Sequence, residues 1–149
     1  MLEAYLSTLF GTDDVGYVYA PWKKLSDGNF HKFFFPWPLY REQLTYHITE
    51  RSKSGDIFIS PVLWKDEKFT FKQSNVVWAD FDSGLPEGPF ELPSLRVYSS
   101  GYSDKQHWYW NLREPITDPE VLEDYNRRIA YSLGGDKVAW NRTRVLRPP

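Results

Sequence analysis

The sequence contains no cysteine, and this absence excludes two kinds of stabilising structure. Neither a disulfide framework nor a thiolate metal site can form, so the fold must depend on its hydrophobic core. No uncharged apolar run approaches the roughly 18 residues of a membrane-spanning helix, and the first residues lack the basic and apolar regions of a secretory signal. These absences predict a soluble, cytoplasmic protein that folds in a reducing compartment and does not bind membranes.

The chain also lacks internal repeats, low-complexity segments and a recognisable linker. Its 149 residues suit a single domain, large enough to bury one core. Aromatic residues are abundant at 18%, with 7 Trp, 10 Tyr and 10 Phe, so we expect some rings at the surface. Trp37, Trp64, Trp108 and Trp110 are candidates for stacking on the bases of a single strand, but packing in the core is the expected role of each ring taken singly.

The net charge of -2 combines an acidic body with a basic end. Six basic residues and one acid, Asp136, lie from Arg127 onward, whereas 12 basic and 19 acidic residues precede Arg127. A negatively charged partner is therefore attracted to the basic end of the chain and repelled by the acidic remainder. The asymmetry therefore predicts an anionic partner that binds at one place rather than over the whole surface.

Hydrophobic spacing and turn residues predict the order of the secondary-structure elements. Three segments have helical composition or spacing: residues 2–10, 41–51 and 119–133. Five segments are predicted as strands: residues 15–20, 56–63, 76–82, 95–99 and 106–112. Between them, residues 21–24 are expected to start a loop, 31–37 to be extended, and 65–74 to form a hairpin or loop.

The third predicted helix has the clearest ends. Asp118 is a suitable N-cap with Pro119 at the first helical position, and Gly134-Gly135 ends the helix. Strands with a few helices and no repeats are typical of an α+β fold. We expect a largely antiparallel sheet covered by helices on one face.

Asp80 and Asp82 lie two residues apart in the predicted strand 76–82. Strand alternation places both carboxylates on one face and the intervening apolar side chains on the other. Two like charges so close raise each other's pKa unless a cation lies between them, and carboxylate oxygens suit Mg²⁺ or Mn²⁺. The alternative is a strand end whose acids are solvated or cap the turn at Ser83-Gly84.

A second group of polar residues lies between the last two predicted strands. Ser99, Lys105 and the backbone of the intervening Ser/Gly turn supply hydroxyls, N–H groups and a cation, and His107 begins the next strand. Such a loop can hold phosphate oxygens. The alternative for His107 is a histidine packed in the core.

A third group follows the last predicted helix. Asp136 either caps the turn after Gly134-Gly135 or completes a three-carboxylate metal site with Asp80 and Asp82. Arg144 and Arg147 are then placed to bind a triphosphate or a template backbone.

The order of these groups resembles a known family. An acid pair on a strand, a Ser/Gly turn before His107, a helix, Gly135-Asp136 and then Arg144-Val145-Leu146-Arg147-Pro148 resemble the primase-polymerase domains of the archaeo-eukaryotic primase superfamily. The likeness is to the phage and plasmid branch, in which the domain commonly precedes a helicase, and it covers about residues 76–149. It implies an RRM-like sheet that bears the acids, next to an N-terminal α/β unit.

The resemblance also implies a function. It implies DNA-directed nucleotidyl transfer of NTP or dNTP on a single-stranded DNA template, with two Mg²⁺ or Mn²⁺ ions as cofactors and a helicase domain or partner. Asp80, Asp82 and Asp136 would be the catalytic, metal-binding acids. His107 would contact the phosphates of the incoming nucleotide. Further nucleotide contacts would come from Ser99, Lys105, Arg144 and Arg147.

The sequence departs from the family pattern at two places. Lys105 stands two residues before His107, where the family usually has a small residue. The chain stops at Pro148-Pro149, where the family continues into a Gly-Thr step and further helices. We therefore expect a fragment of a longer, helicase-containing protein.

Two other functions are compatible with the same residues. One is a non-catalytic RRM-like module that binds single-stranded nucleic acid through aromatic rings and the basic end. The other is a metal-dependent nuclease, in which similar carboxylates activate water instead of a 3'-hydroxyl. Asp80→Ala distinguishes the binding module, which should still bind, from a polymerase, which should lose synthesis. Incubation of a labelled single strand with Mg²⁺ but no nucleotide distinguishes a nuclease, which cuts the strand, from a polymerase.

Overall fold

The computed structural model describes residues 1–99 and 104–149. The helices are α1 (Leu2–Phe10), α2 (Arg41–Arg51) and α3 (Pro119–Leu133). The strands are β1 (Gly16–Tyr19), β2 (Trp22–Lys24), β3 (Phe30–His31), β4 (Phe34–Trp37), β5 (Gly55–Ile57), β6 (Leu63–Trp64), β7 (Phe71–Phe81), β8 (Leu95–Tyr98) and β9 (Gln106–Ile116). No helix in the part of the chain that the structure describes has both the length and the apolar character needed to cross a membrane.

The strands form two antiparallel sheets, which confirms the predicted α+β class. Six strands follow the order β4-β1-β6-β7-β9-β8, and three follow the order β3-β2-β5. The longest strands, β7 and β9, have 11 residues each and pair at the centre of the larger sheet. Their register places Asp80 opposite His107 and Ala79 opposite Trp108. Two residues that are far apart in sequence are therefore neighbours.

Strand β7 is buried because both of its faces are covered. Ala79 and Phe81 belong to a cluster against which Ile129 and Leu133 of α3 pack. On the other face, Tyr109 lies opposite Trp78, and its ring meets the edge of the Tyr5 ring of α1 at 6.0 Å. This explains why residues 76–81 form an almost uninterrupted apolar run.

Helix α3 begins and ends where the sequence predicts. The side chain of Asp118 accepts a hydrogen bond from the backbone N–H of Glu120 at 2.9 Å, and Pro119 occupies the first turn. Gly134 has a φ of 73°, a left-handed conformation that glycine adopts without a Cβ clash, and it ends the helix. The helices predicted over 2–10 and 41–51 are also present as predicted.

Two predictions of local structure were wrong. Residues 22–24, expected in a loop, form β2 because they pair with both β3 and β5. Residues 56–63 are not one strand, because β5 ends at Ile57 and Ile59 bridges to the C-terminal segment at Leu146. In both cases pairing with another segment of the chain decides the local conformation. The hairpin predicted within residues 65–74 is present, because β7 begins at Phe71 and pairs with β6 through Trp64 and Phe71.

Most of the tryptophans proposed for base stacking lie in the core. Trp37 and Trp64 are each 1% exposed and Trp108 is 2% exposed, so none of these rings can receive a base. Trp110 is partly buried, and its indole N–H donates to the carbonyl of Glu91 at 2.9 Å. The expected packing role of these rings is confirmed. Other aromatic side chains are exposed instead, among them Phe30, Tyr46, Tyr98, Tyr125 and Tyr131.

Candidate metal and nucleotide site

Three carboxylates from two parts of the chain meet at one end of β7. Asp80 is the penultimate residue of the strand, Asp82 follows its end, and Asp136 lies just after α3. Each offers an oxygen, and these three oxygens lie within 4.8 Å of one another. Carboxylate groups at this separation can share a divalent cation.

The backbone fixes Asp136 beside β7. Its N–H donates to the carbonyl oxygen of Asp80 at 2.7 Å, so the loop after α3 extends the hydrogen bonding of the strand. A Cβ at Gly135 would lie only 3.2 Å from that same carbonyl, closer than ordinary van der Waals contact. The Asp136 side chain also accepts from the N–H of Val138 at 3.0 Å, so the predicted turn cap exists alongside the carboxylate cluster.

The electrostatics of the cluster centre on Asp80, which is 3% exposed. Burial raises the pKa of its carboxyl to about 6, the charge of Asp82 acts in the same direction, and the hydrogen bond from Arg144 opposes both. An Nη of Arg144 lies 3.0 Å from Asp80 Oδ2 and 3.5 Å from Asp136 Oδ2. The guanidinium therefore supplies positive charge between two of the acids.

His107 is buried beside Asp80, with its Nε2 3.4 Å from Asp80 Oδ1. Burial lowers the pKa of the imidazole to about 4, and the nearby charges of Arg144 and Arg147 favour the neutral form further. His107 is thus neutral at pH 7 and can donate from one ring nitrogen only. The buried position is the one expected of a core histidine, but the side chain also lines the cavity described below.

Three buried polar atoms of the site make no hydrogen bond to the described residues. They are Asp80 Oδ1, His107 Nδ1 and Arg144 Nε. A buried carboxylate oxygen without a donor is costly, so it is a suitable position for a cation ligand. Together with the all-oxygen donor set, this atom shows that the three acids fit a hard divalent cation.

The acids open into a cavity of about 440 Å³. All of the predicted site residues except Asp136 line it, and the carboxylate of Asp136 adjoins it through Asp80 and Asp82. The described lining residues are Phe58, Asp80, Asp82, Ser99, Lys105, His107, Arg144, Val145, Leu146 and Arg147. Phe58 was not predicted, because nothing in its local sequence indicates that its side chain faces the acids.

The C-terminal segment forms one side of the cavity through a β-bridge. Leu146 and Ile59 exchange two backbone hydrogen bonds of 2.8 Å, and the Leu146 side chain is buried. Arg144 then reaches the acids, whereas Arg147 pairs with Asp56 at 2.6 Å and lies 5.2 Å from the centre of the Phe58 ring. Arg144 and Arg147 were predicted to bind the same triphosphate or template backbone, but in the structure they have different partners.

Ser99 and Lys105 flank the predicted phosphate-binding turn. The N–H of Ser99 donates to the carbonyl of Lys105 at 3.0 Å, and both side chains line the cavity. Residues 100–103 of that turn lie outside the described residues.

The basic end does not form one open cationic patch. Arg142 pairs with Glu123 at 2.6 Å and Arg128 with Asp124 at 2.8 Å, both on α3. Further cations of this end pack over aromatic rings: Arg127 over Trp140 and Lys137 over Tyr131. Among these residues, Arg144 and Arg147 are the ones that line the cavity with the acids.

Known proteins similar to this chain are found by comparing structures and not by comparing sequences. No protein-family model matches the sequence, and comparison with curated proteins gives no match either. The structure is similar to the archaeo-eukaryotic primase domain of the cyanophage S-2L primase-polymerase, with a TM-score of 0.69 and 17% identity over 99% of this chain and 79% of that one. It is also similar to the primase RepB', with a TM-score of 0.68 and 12% identity over 99% of this chain and 48% of that one. The chain therefore shares its fold with these two primase domains.

Proposed function

We propose that residues 1–149 are one catalytic domain of a DNA primase-polymerase. It adds nucleotides, as directed by a single-stranded DNA template, with Mg²⁺ or Mn²⁺ as cofactor. The observation that carries the proposal is the meeting of Asp80, Asp82 and Asp136 within 4.8 Å at the edge of a cavity that cations also line. The fold shared with proteins described as a primase-polymerase and a primase supports it.

The three carboxylates would hold the cation. A divalent cation bound there would lower the pKa of an attacking 3'-hydroxyl and neutralise charge on the nucleotide triphosphate. Asp80 would be the ligand best fixed in place, because it lies within β7. Its Oδ1 is available to a cation, because it accepts no hydrogen bond from the described residues.

Positive and polar groups on the other sides of the cavity suit a triphosphate. Lys105, His107 and Arg144 all line it. Lys105 and Arg144 each carry several N–H donors for phosphate oxygens, and the neutral His107 carries one. Donors fixed before the reaction stabilise charge that grows on the phosphates in the transition state. Arg144 neutralises the acids through its contacts with Asp80 and Asp136, and a bound nucleotide offers its guanidinium alternative oxygens.

The test is incorporation of labelled nucleotides on a primed and an unprimed single-stranded DNA template with Mg²⁺ or Mn²⁺. Wild type is compared with the Asp80→Ala/Asp82→Ala double variant. We expect product from wild type alone. Product from both proteins would refute the assignment of the acids, and shortening of the labelled strand without nucleotides would identify a nuclease instead.

A further inference from the structure

The three-stranded sheet β3-β2-β5 presents one face whose residues the proposed chemistry does not use. Lys23 of β2 pairs with Phe30 of β3 and with Asp56 of β5, so strand alternation places these three side chains on the same face. Phe58 extends the pattern, because its N–H donates to the carbonyl of Pro21 at 3.0 Å and its side chain follows Asp56 by two residues. We call the surface formed by Lys23, Phe30, Asp56, Phe58 and Arg147 the Phe30 face.

The Phe30 face combines two aromatic rings with two cations. The Phe30 side chain is 55% exposed, and the centre of its ring lies 5.6 Å from that of Phe58. Lys23 Nζ lies 5.9 Å from the centre of the Phe30 ring, and the guanidinium of Arg147 lies 5.2 Å from that of Phe58. A single exposed ring is ordinary on a protein surface, but two adjacent rings with a cation at each suggest a ligand.

The Phe30 face is continuous with the acid cavity. Phe58 and Arg147 belong to the face and also line the cavity that contains Asp80 and His107. Asp56 is the only acid within the three strands of this sheet, and its carboxylate is paired with Arg147. A polyanion that lies across the face thus meets cations and rings before it reaches the acids.

We propose that the Phe30 face binds single-stranded nucleic acid and guides it to the acid cavity, which deepens the proposed function and rests on it. A base stacks on the exposed Phe30 ring, while Lys23 and Arg147 contact the flanking phosphates. Rings on an open sheet face stack with bases of any sequence, and nearby cations add affinity that depends on salt. Bases further along the strand reach Phe58 at the cavity wall.

The experiment measures strand binding without catalysis. Fluorescence anisotropy follows a labelled oligodeoxythymidylate of about 12 nucleotides, a length within the range of single-strand binding sites. The buffer contains EDTA and no nucleotide, so the acids contribute no chemistry. The proteins are wild type, Phe30→Ala, Phe30→Trp, Lys23→Gln and Tyr125→Ala. Tyr125 is the matched control, because its side chain is 51% exposed and lines a different cavity, between α3 and β9.

We expect Phe30→Ala to weaken binding about fivefold or more, since stacking on one base is lost. Phe30→Trp keeps the affinity and Tyr125→Ala leaves it unchanged. Lys23→Gln lowers the slope of log affinity against log salt by about 0.7, as loss of one phosphate contact requires. Because Phe30 is exposed, its truncation leaves the core intact, and circular dichroism verifies this.

Three results would overturn the inference: wild-type affinity in Phe30→Ala, an equal loss of affinity in Tyr125→Ala, or no binding by wild type at low salt. The Asp80→Ala/Asp82→Ala variant distinguishes this inference from the proposed function. If that variant binds the strand normally and Phe30→Ala does not, strand binding by the Phe30 face stands whatever the incorporation assay shows. If Phe30→Ala binds normally while the acid variant alone loses incorporation, the catalytic assignment stands and strand binding by the Phe30 face is wrong.

Discussion

The two walls of the cavity differ in how the fold holds them. The acid wall consists of Asp80, His107 and their neighbours on the central strands, with Asp80 and His107 only 3% and 4% exposed. The second wall, which the Phe30 face continues, consists of Phe58 and Arg147 beside a short three-stranded sheet. Burial on the first wall fixes distances and strengthens charge interactions, whereas exposure on the second leaves rings and cations accessible to a long ligand.

The two walls also differ in their effect on the stability of the fold, because the acid wall holds a buried carboxylate close to two others and the Phe30 face does not. Asp80 has a raised pKa because burial disfavours its charge, and two other carboxylates lie nearby. On the Phe30 face, by contrast, the acid Asp56 is matched by Arg147 at the surface. We therefore expect substitutions on the acid wall to affect catalysis, metal affinity and stability, and substitutions on the Phe30 face to affect strand binding alone.

The largest expected effect follows removal of one charge from the acid wall. Asp136→Asn keeps an oxygen that can accept from Val138 N–H and keeps the backbone bond to Asp80, but it removes one carboxylate of the proposed metal site. Nucleotide incorporation should fall by about a thousandfold. Asp124→Asn, which alters an acid paired with Arg128 on α3, is the control and should retain activity. Full activity of Asp136→Asn would show that the cluster needs only Asp80 and Asp82.

The second effect concerns the free energy of unfolding, which a substitution on the acid wall should increase. The pKa of Asp80 is about 6 in the folded protein against an ordinary value of 3.8, so ionisation of this group favours the unfolded state. The penalty is absent below the ordinary pKa and complete above pH 6. Asp80→Asn should therefore raise the free energy of unfolding by up to about 3 kcal/mol at pH 8 without metal.

Urea unfolding of wild type and Asp80→Asn measures this difference. The advantage of the variant should shrink as the pH falls from 6 to 5. The comparison stops at pH 5, because His107 lies 3.4 Å from Asp80 and has a pKa of about 4, so its own titration below that pH depends on the substitution. A variant that is less stable than wild type at pH 8 would contradict the raised pKa.

A third effect is the dependence of metal affinity on pH. At pH 5 the Asp80 carboxyl, with a pKa of about 6, is mostly protonated, whereas at pH 7.5 it is ionised. Protons and the cation compete for the same oxygens, so Mn²⁺ should bind about tenfold more weakly at pH 5. Paramagnetic resonance of free Mn²⁺ measures the affinity. Equal affinity at the two pH values would exclude Asp80 as a ligand that must lose a proton.

The smallest effect separates the two arginines. Arg147→Gln removes a cation of the Phe30 face and should weaken single-strand binding about fivefold with little change in nucleotide affinity. Arg144→Gln should do the reverse, because its guanidinium contacts the acids rather than the sheet. Filter binding of strand and of nucleotide, performed separately on both variants, measures the two affinities. If the two variants behave alike, the division into two walls is wrong.

The acid wall was largely predictable because its signals are local. Alternation around Asp80, the capped helix α3 and the glycines before Asp136 are all patterns within a few residues. The ordered resemblance to primase-polymerases supplied the step that brings them together, and the structure places their carboxylates within reach of one cation. One detail differs, since Asp82 lies just outside the strand rather than within it.

The second wall was not predictable because it depends on pairing between distant segments. Strand β2 exists only through its neighbours β3 and β5, and the Ile59–Leu146 bridge brings Arg147 to Phe58. Sequence alone also could not show that most cations of the basic end are paired with acids or packed over rings. Nor could composition distinguish the buried Trp37 and Trp64 from the exposed Phe30.

The most direct test of the central claim is a crystal structure with Mn²⁺ and a non-hydrolysable deoxynucleoside triphosphate, recorded at a wavelength where manganese scatters anomalously. The account predicts an anomalous peak coordinated by Asp80, Asp82 and Asp136, with the triphosphate bound beside it and within reach of Arg144. No peak at the three carboxylates, with Arg144 still bound to Asp80 and Asp136, would contradict the assignment of this cluster as the metal site.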